Sequence, residues 1–263
     1  MKIIGMECTM AEPWLWGYTP PGFKRIRAGR EQMGIVRETL DRLSLEQFKQ
    51  ESASGEVAPD FFGRSQLKYF CLDNGQSVLI RAYRRGGWVR RVTKDVYFTW
   101  PPRPLKEAAI TEEVRRRGIP TLEILAAWVE RIWGPFYRGW LVSRELTGAC
   151  DLWTALEKRL YVGREGELLL QNVAQTLRSM HRKGIYHRDL NLKNILVRKE
   201  GNRISVYIID FDKARLFQRP VPYHQANRTL SRLLRSARKL DPNRQFFSQR
   251  DWQLLFASYR DAI

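Results

Sequence analysis

The stretch YHRDLNLKNILV (186–197), followed by RKEGNR (198–203) and ISVYIID (204–210), constrains this chain more than any other. ILV (195–197) reads as a short strand, the polar segment around Gly201 as a turn, and ISVYIID as a second, strongly β-prone strand. Two strands joined by a short turn pair antiparallel, so the start of the first lies beside the end of the second. Asn194 stands at that start and Asp210 at that end, while Asp189 lies five residues before Asn194 on the incoming loop. The hairpin therefore gathers one carboxamide and two carboxylates at one edge.

A carboxylate and an amide oxygen are hard ligands suited to Mg²⁺, which takes its remaining ligands from water and substrate phosphates. A second carboxylate that the metal does not need can accept the proton of an attacking hydroxyl, as in phosphoryl transfer. The chain carries His187-Arg188-Asp189-Leu190, then Asn194, and after the second strand Asp210-Phe211-Asp212. The first element matches the H-R-D-L-x-x-x-N kinase signature in full, and the second keeps Asp-Phe of D-F-G but has Asp in place of Gly. Asp189 is thus the expected base, and Asn194 and Asp210 the expected metal ligands. His187 is expected to brace the loop through hydrogen bonds rather than to transfer protons.

The upstream half should hold the nucleotide. LKYFCL and SVLIRAY flank an Asn74-Gly75 turn and read as a hairpin. The break WPPRP (100–104) precedes a helix expected over 105–117, stopped by Gly118 and Pro120. LEILAAWVERIW and GWLVSREL read as two more strands. A kinase needs a strand cation over the phosphates and a helix acid to pair with it. Arg81 is the best-placed cation and Glu107 the best-placed acid. Gly63 stands where a glycine-rich phosphate loop would lie, and the segment 142–146, with Glu145, where adenine would meet the backbone by analogy of fold. Residues 37–50 read as a helix after a strand pair within 23–36, and 167–184 as a helix with Leu170, Val173, Leu177 and Met180 on one face.

The 263 residues carry 46 Lys and Arg against 28 Asp and Glu, a net charge of +18, which calls for an anionic partner. Three separated cysteines, Cys8, Cys71 and Cys150, suggest neither a disulfide framework nor a zinc site. The N-terminus makes a poor signal peptide and no apolar run reaches membrane-spanning length, so a cytoplasmic protein is expected.

RAYRRGGWVRR (81–91), HRDLNLKNILV (187–197) and VYIIDFDKARL (206–216) together resemble the lipopolysaccharide core kinases, bacterial kinases of Kdo and of inner-core heptose. The resemblance is strongest to the Kdo kinase branch. It implies an α+β, bilobal protein-kinase-like fold: a β-rich N-lobe with one main helix, and a reduced helical C-lobe. The domains expected are an N-terminal extension at 1–60, a strand pair plus helix packing on the N-lobe, then an N-lobe at 61–145 and a C-lobe at 146–263. It also implies ATP and Mg²⁺ as cofactors, phosphorylation of a Kdo hydroxyl on lipid A–Kdo, and the roles already given to Asp189, Asn194 and Asp210. Only 53 residues follow Asp210, with no Ala-Pro-Glu among them, which leaves little room for a peptide-docking lobe.

Residues 81–117 hold eleven Lys and Arg against four acids, and 215–250 hold nine against one. In NRTLSRLLRSARKL, Leu230, Leu233, Leu234 and Leu240 form an apolar face, while Arg228, Arg232, Arg235 and Arg238 form a basic one. Such faces fit docking on the anionic inner leaflet, at the cytoplasmic face of the inner membrane. The alternatives are an inner-core heptose kinase, a protein or small-molecule kinase, and a non-catalytic basic module that binds nucleic acid. No specific nucleic acid is expected for the enzyme.

Overall fold

The computed structural model describes residues 19–28, 32–40, 47–48, 50–51, 56–57, 67–72, 75–83, 96–97, 99, 102–133 and 136–261. These fall into two compact units. One draws on Pro13–Glu113 and Leu122–Thr147, the other on Val114–Thr121 and Gly148–Ile263.

The first unit is built on strands β1 (Phe23–Ala28), β2 (Gln32–Arg37), β3 (Glu56–Val57), β4 (Leu67–Cys71), β5 (Ser77–Ala82), β6 (Ile124–Trp133) and β7 (Phe136–Arg144), with helix α1 (Arg103–Arg116) up to Glu113. The seven strands form one sheet in the order β1-β2-β6-β7-β5-β4-β3, every pairing antiparallel. Side chains alternate across a strand, so neighbours go to opposite cores. Ile35, Ala127 and Leu141 join one cluster with Ala108 of α1, while Val36, Trp128 and Val142 join the other with Phe48 and Ile80. Burial on both faces explains why β6 reads as a nearly unbroken apolar run. Each fully buried residue of the size of Ile80 contributes roughly 1.5–3 kcal/mol.

The helix expected from residue 37 begins later. Arg37 closes β2, because its Nη2 reaches Glu112 Oε2 at 2.7 Å and its Nε donates to Ile124 O at 2.9 Å. Residues 38–40 turn, and helical backbone is found at Gln47, Phe48, Gln50 and Glu51. The strand pair β1–β2 extends the main sheet beside β6.

The second unit contains β8 (Cys150–Asp151), α2 (Leu152–Glu157), α3 (Arg164–Arg182), β9 (Ile185–Tyr186), β10 (Ile195–Glu200), β11 (Arg203–Ile208), β12 (Arg215–Leu216), α4 (Tyr223–Leu240) and α5 (Gln249–Asp261). Helix α3 buries Leu170, Val173, Leu177 and Met180, the face its periodicity predicts. It packs against α5 and β11, where Asn172 Nδ2 donates to Ile204 O at 2.9 Å. Gly184 follows α3 with φ 73°, and a Cβ there would stand 2.4 Å from Phe217 O. No side chain fits that approach, and the left-handed backbone favours glycine as well.

Candidate active site

Two small sheets lay the loops 187–194 and 209–214 side by side. At one end β9 pairs with β12, Tyr186 opposite Arg215; at the other β10 pairs with β11, Ile195 opposite Ile208. Each loop is therefore tied to the other at both ends. The ladder continues one step past β11, where Ile209 N donates to Asn194 O at 3.0 Å. Asn194 and Asp210 thus meet at the hairpin edge, as the sequence implies.

Between these ties the loops are cross-linked by side chains. His187 is 1% exposed and its ring lies against Phe211, centroids 5.1 Å apart. Its Nδ1 accepts from Asp189 N at 3.2 Å, so the proton belongs on Nε2, which donates to Ile209 O at 3.0 Å. Burial pushes its pKa below the usual imidazole value, which keeps the ring neutral and this hydrogen-bond pattern intact. The bracing geometry expected of His187 is present.

The Asp189 carboxylate points outward and accepts from Lys213 Nζ at 2.7 Å. That hydrogen bond holds its pKa below the usual carboxylate range, so it is ionised at neutral pH. The carbonyl of the same residue accepts from Asn194 Nδ2 at 3.0 Å and from Asn191 Nδ2 at 3.2 Å. With Nδ2 committed, Asn194 has Oδ1 to offer a cation. Asp210 lies in the left-handed region, φ 65°, ψ 60°, at the entry to the short 3-10 turn Phe211–Lys213. Asp tolerates that region better than most residues. Asp212 lies inside the turn at ordinary φ, so this position does not require the glycine of D-F-G. An amide oxygen and a carboxylate at one edge fit Mg²⁺, which needs few protein ligands. Among the described residues no cluster of three His, Cys, Asp or Glu offers a site of another kind.

Lys213 is the member of this group that sequence reasoning missed. Its signal was a cation three residues after Asp210, which becomes meaningful only once the two loops are known to run together.

In the first unit, Arg81 on β5 forms an ion pair with Glu107 on α1. Tyr83 joins them: its hydroxyl donates to Glu107 and accepts from Arg81 Nη2 at 3.0 Å, and the guanidinium stands 4.9 Å from its ring centroid. Glu107 is 3% exposed, so the carboxylate depends on these partners. Glu145 follows β7, and its N–H donates to Ser77 O at 2.9 Å. Gly63 and the RRGGWVRR segment lie outside the described residues.

Helix α4 buries Ala226, Thr229, Leu230, Leu233 and Ala237. Leu234 and Leu240, expected on that face, are only half-buried. Arg228, Arg235, Arg238 and Lys239 are exposed, but Arg232 turns inward and donates to the Tyr186 hydroxyl at 3.0 Å. No helix among the described residues is long and apolar enough to cross a membrane.

The lipopolysaccharide kinase (Kdo/WaaP) family matches residues 54–259. A 3-deoxy-D-manno-octulosonic acid kinase of Vibrio vulnificus (strain YJ016) is 32% identical over 189 residues, 68% of this chain and 73% of that protein. The enzyme of the same name from Vibrio parahaemolyticus serotype O3:K6 is 33% identical over 208 residues, 77% of this chain and 82% of its own. That of Xylella fastidiosa (strain 9a5c) is 31% identical over 202 residues, covering 75% and 76%. Among solved structures, WaaP in complex with acyl carrier protein superposes with a TM-score of 0.57 at 19% identity, covering 86% of this chain and 88% of WaaP. That likeness carries the fold, and with it the expected α+β kinase-like class. The family match covers most of the chain, and the H-R-D-L-x-x-x-N loop and Asp-Phe pair lie within it: the chain belongs to the lipopolysaccharide kinase (Kdo/WaaP) family and is an ATP-dependent phosphotransferase.

Proposed function

We propose that this enzyme transfers the terminal phosphoryl group of ATP to a hydroxyl of Kdo on a lipid A–Kdo glycolipid. The observation that carries the reading is the pair of tied loops, with an ionised Asp189 carboxylate beside the Asn194–Asp210 edge. The Kdo acceptor is supported by the names of the relatives.

In this reading the acceptor oxygen attacks the γ-phosphorus, its proton passes to Asp189 Oδ, and ADP leaves. Asn194 Oδ1 and the Asp210 carboxylate would hold Mg²⁺, which would supply positive charge to the phosphate oxygens. Arg81, held by Glu107, binds phosphate oxygens in the role that a strand lysine has in other kinases; its bidentate guanidinium suits it to that. The backbone at Glu145 meets adenine. Residues 61–145 form the nucleotide-holding lobe, with β1 and β2 of the 1–60 extension built onto its sheet, and 146–263 form the lobe that carries the base. The exposed cations of α4 dock the enzyme on the anionic cytoplasmic leaflet, at about 1 kcal/mol for each one near the surface.

Transfer of label from γ-labelled ATP to Kdo-bearing lipid A, with and without Mg²⁺, tests the reaction. Label on that glycolipid, and none on lipid A lacking Kdo, is expected; equal labelling of the two would refute the Kdo assignment. The docking reading requires binding to vesicles that rises with anionic lipid and weakens with salt.

A further inference from the structure

The paired strands β6 and β7 run past their own core. The first six residues of β6 are buried, and its last three, Arg131, Ile132 and Trp133, are exposed. Ile132 is 44% exposed and Trp133 74%, large values for apolar side chains at consecutive positions of one strand end. Trp133 pairs across the hairpin with Phe136, and the rings stack with centroids 5.9 Å apart and planes 13° from parallel. The root beneath them is stiff. Tyr97 and Tyr137 bond each other's backbone in both directions at 2.8 and 3.0 Å, and their rings stack at 6.0 Å. The Tyr137 hydroxyl also accepts from Arg103 N at 2.9 Å.

We infer that this hairpin end inserts into the interface of a lipid bilayer. An exposed tryptophan with an aliphatic neighbour is the composition favoured at the boundary between headgroups and acyl chains. Arg131 and the exposed Arg138 flank the tip, with Glu130 opposite Arg138, so residues 130–138 carry one net positive charge and suit an anionic leaflet. Ring stacking and the tyrosine root order the side chains beforehand, so insertion sacrifices little further freedom. The purpose of the contact rests on the glycolipid reading, since an acceptor anchored by acyl chains must be met at the membrane surface. Its geometry rests on the hairpin alone.

The test uses the full chain and vesicles of equal parts phosphatidylcholine and phosphatidylglycerol, comparing wild type with the Ile132→Ser/Trp133→Ser double variant. Apolar insertion resists salt, unlike docking by surface cations. At high salt the variant is expected to partition about tenfold more weakly than wild type. With brominated lipid, the wild type should lose a component of tryptophan emission that Trp133→Phe does not. Phosphorylation of acceptor dispersed in detergent serves as the separate control: the double variant should match wild type there, whereas failure of both proteins would count against the glycolipid reading and leave the partition result to stand by itself. Equal partitioning of variant and wild type at high salt would overturn the inference, as would a variant that changes only the self-association of the protein.

Discussion

Lys213 Nζ stands 2.7 Å from Asp189 Oδ2, joining the loop that carries Asp189 to the loop that carries Asp210. Both side chains are more than half exposed, at 58% and 56%, so the pair orients the carboxylate far more than it stabilises the fold. Lys213→Ala should therefore leave the melting temperature nearly unchanged while kcat falls by roughly 10–100-fold, a loss of orientation at the base. Lys213→Arg should recover part of the rate. A normal kcat in Lys213→Ala would remove the lysine from the catalytic arrangement.

His187 acts on the same loop through its two ring nitrogens, bonded to Asp189 N and Ile209 O. His187→Phe preserves the contact with Phe211 and removes both hydrogen bonds. The expected result is a lower kcat with little change in the KM for ATP, measured by steady-state kinetics on a variant whose circular dichroism matches wild type.

In the first unit, Glu107 is buried and answered by Arg81 and Tyr83. Arg81→Ala takes an ion-pair partner from that buried carboxylate and should destabilise the protein by roughly 3–5 kcal/mol, read by urea unfolding. Arg81→Ala/Glu107→Ala should be less damaged than the sum of the two single changes, because it removes both charges.

His181 on α3 gives the fold a pH dependence. It is 4% exposed, its Nδ1 bonds the Tyr259 hydroxyl at 2.8 Å, and burial, aided by nearby His187, lowers its pKa from 6.5 to about 4. Below pH 6.5 the unfolded chain binds a proton that the folded protein refuses. Stability is therefore full above that value and declines as the pH falls towards 4, by about 3 kcal/mol in all. Chemical denaturation between pH 6.5 and 5, before most carboxylates titrate, should reveal the slope, and His181→Leu should flatten it.

What could be read from the sequence was what local pattern dictates. The β10–β11 hairpin announces itself through two apolar runs and a polar turn, so the meeting of Asn194 and Asp210 could be deduced. The buried face of α3 follows from its periodicity, and the end of α1 from Gly118, which takes φ 70°. Features set by distant pairing were not legible. The strands β9 and β12 have two residues each, too few to show a pattern, yet they bring Lys213 to Asp189. Strand β2 joins β6 across a long stretch of chain, and Arg37 belongs to that strand because Glu112 and Glu123 come to meet it. Arg232 reads as a surface cation of α4, but Tyr186 beneath the helix gives its guanidinium an inward partner.

The most direct test of the central claim compares wild type with Asp189→Ala, using ATP, Mg²⁺ and Kdo-bearing lipid A, with the product read by mass spectrometry. The account predicts a gain of one phosphate on the Kdo residue with wild type. It predicts a rate lower by at least about 10²–10⁴-fold for a folded variant, the usual contribution of a positioned base. Full transfer by Asp189→Ala, or no phosphate gained by this glycolipid with active wild-type enzyme, would contradict it.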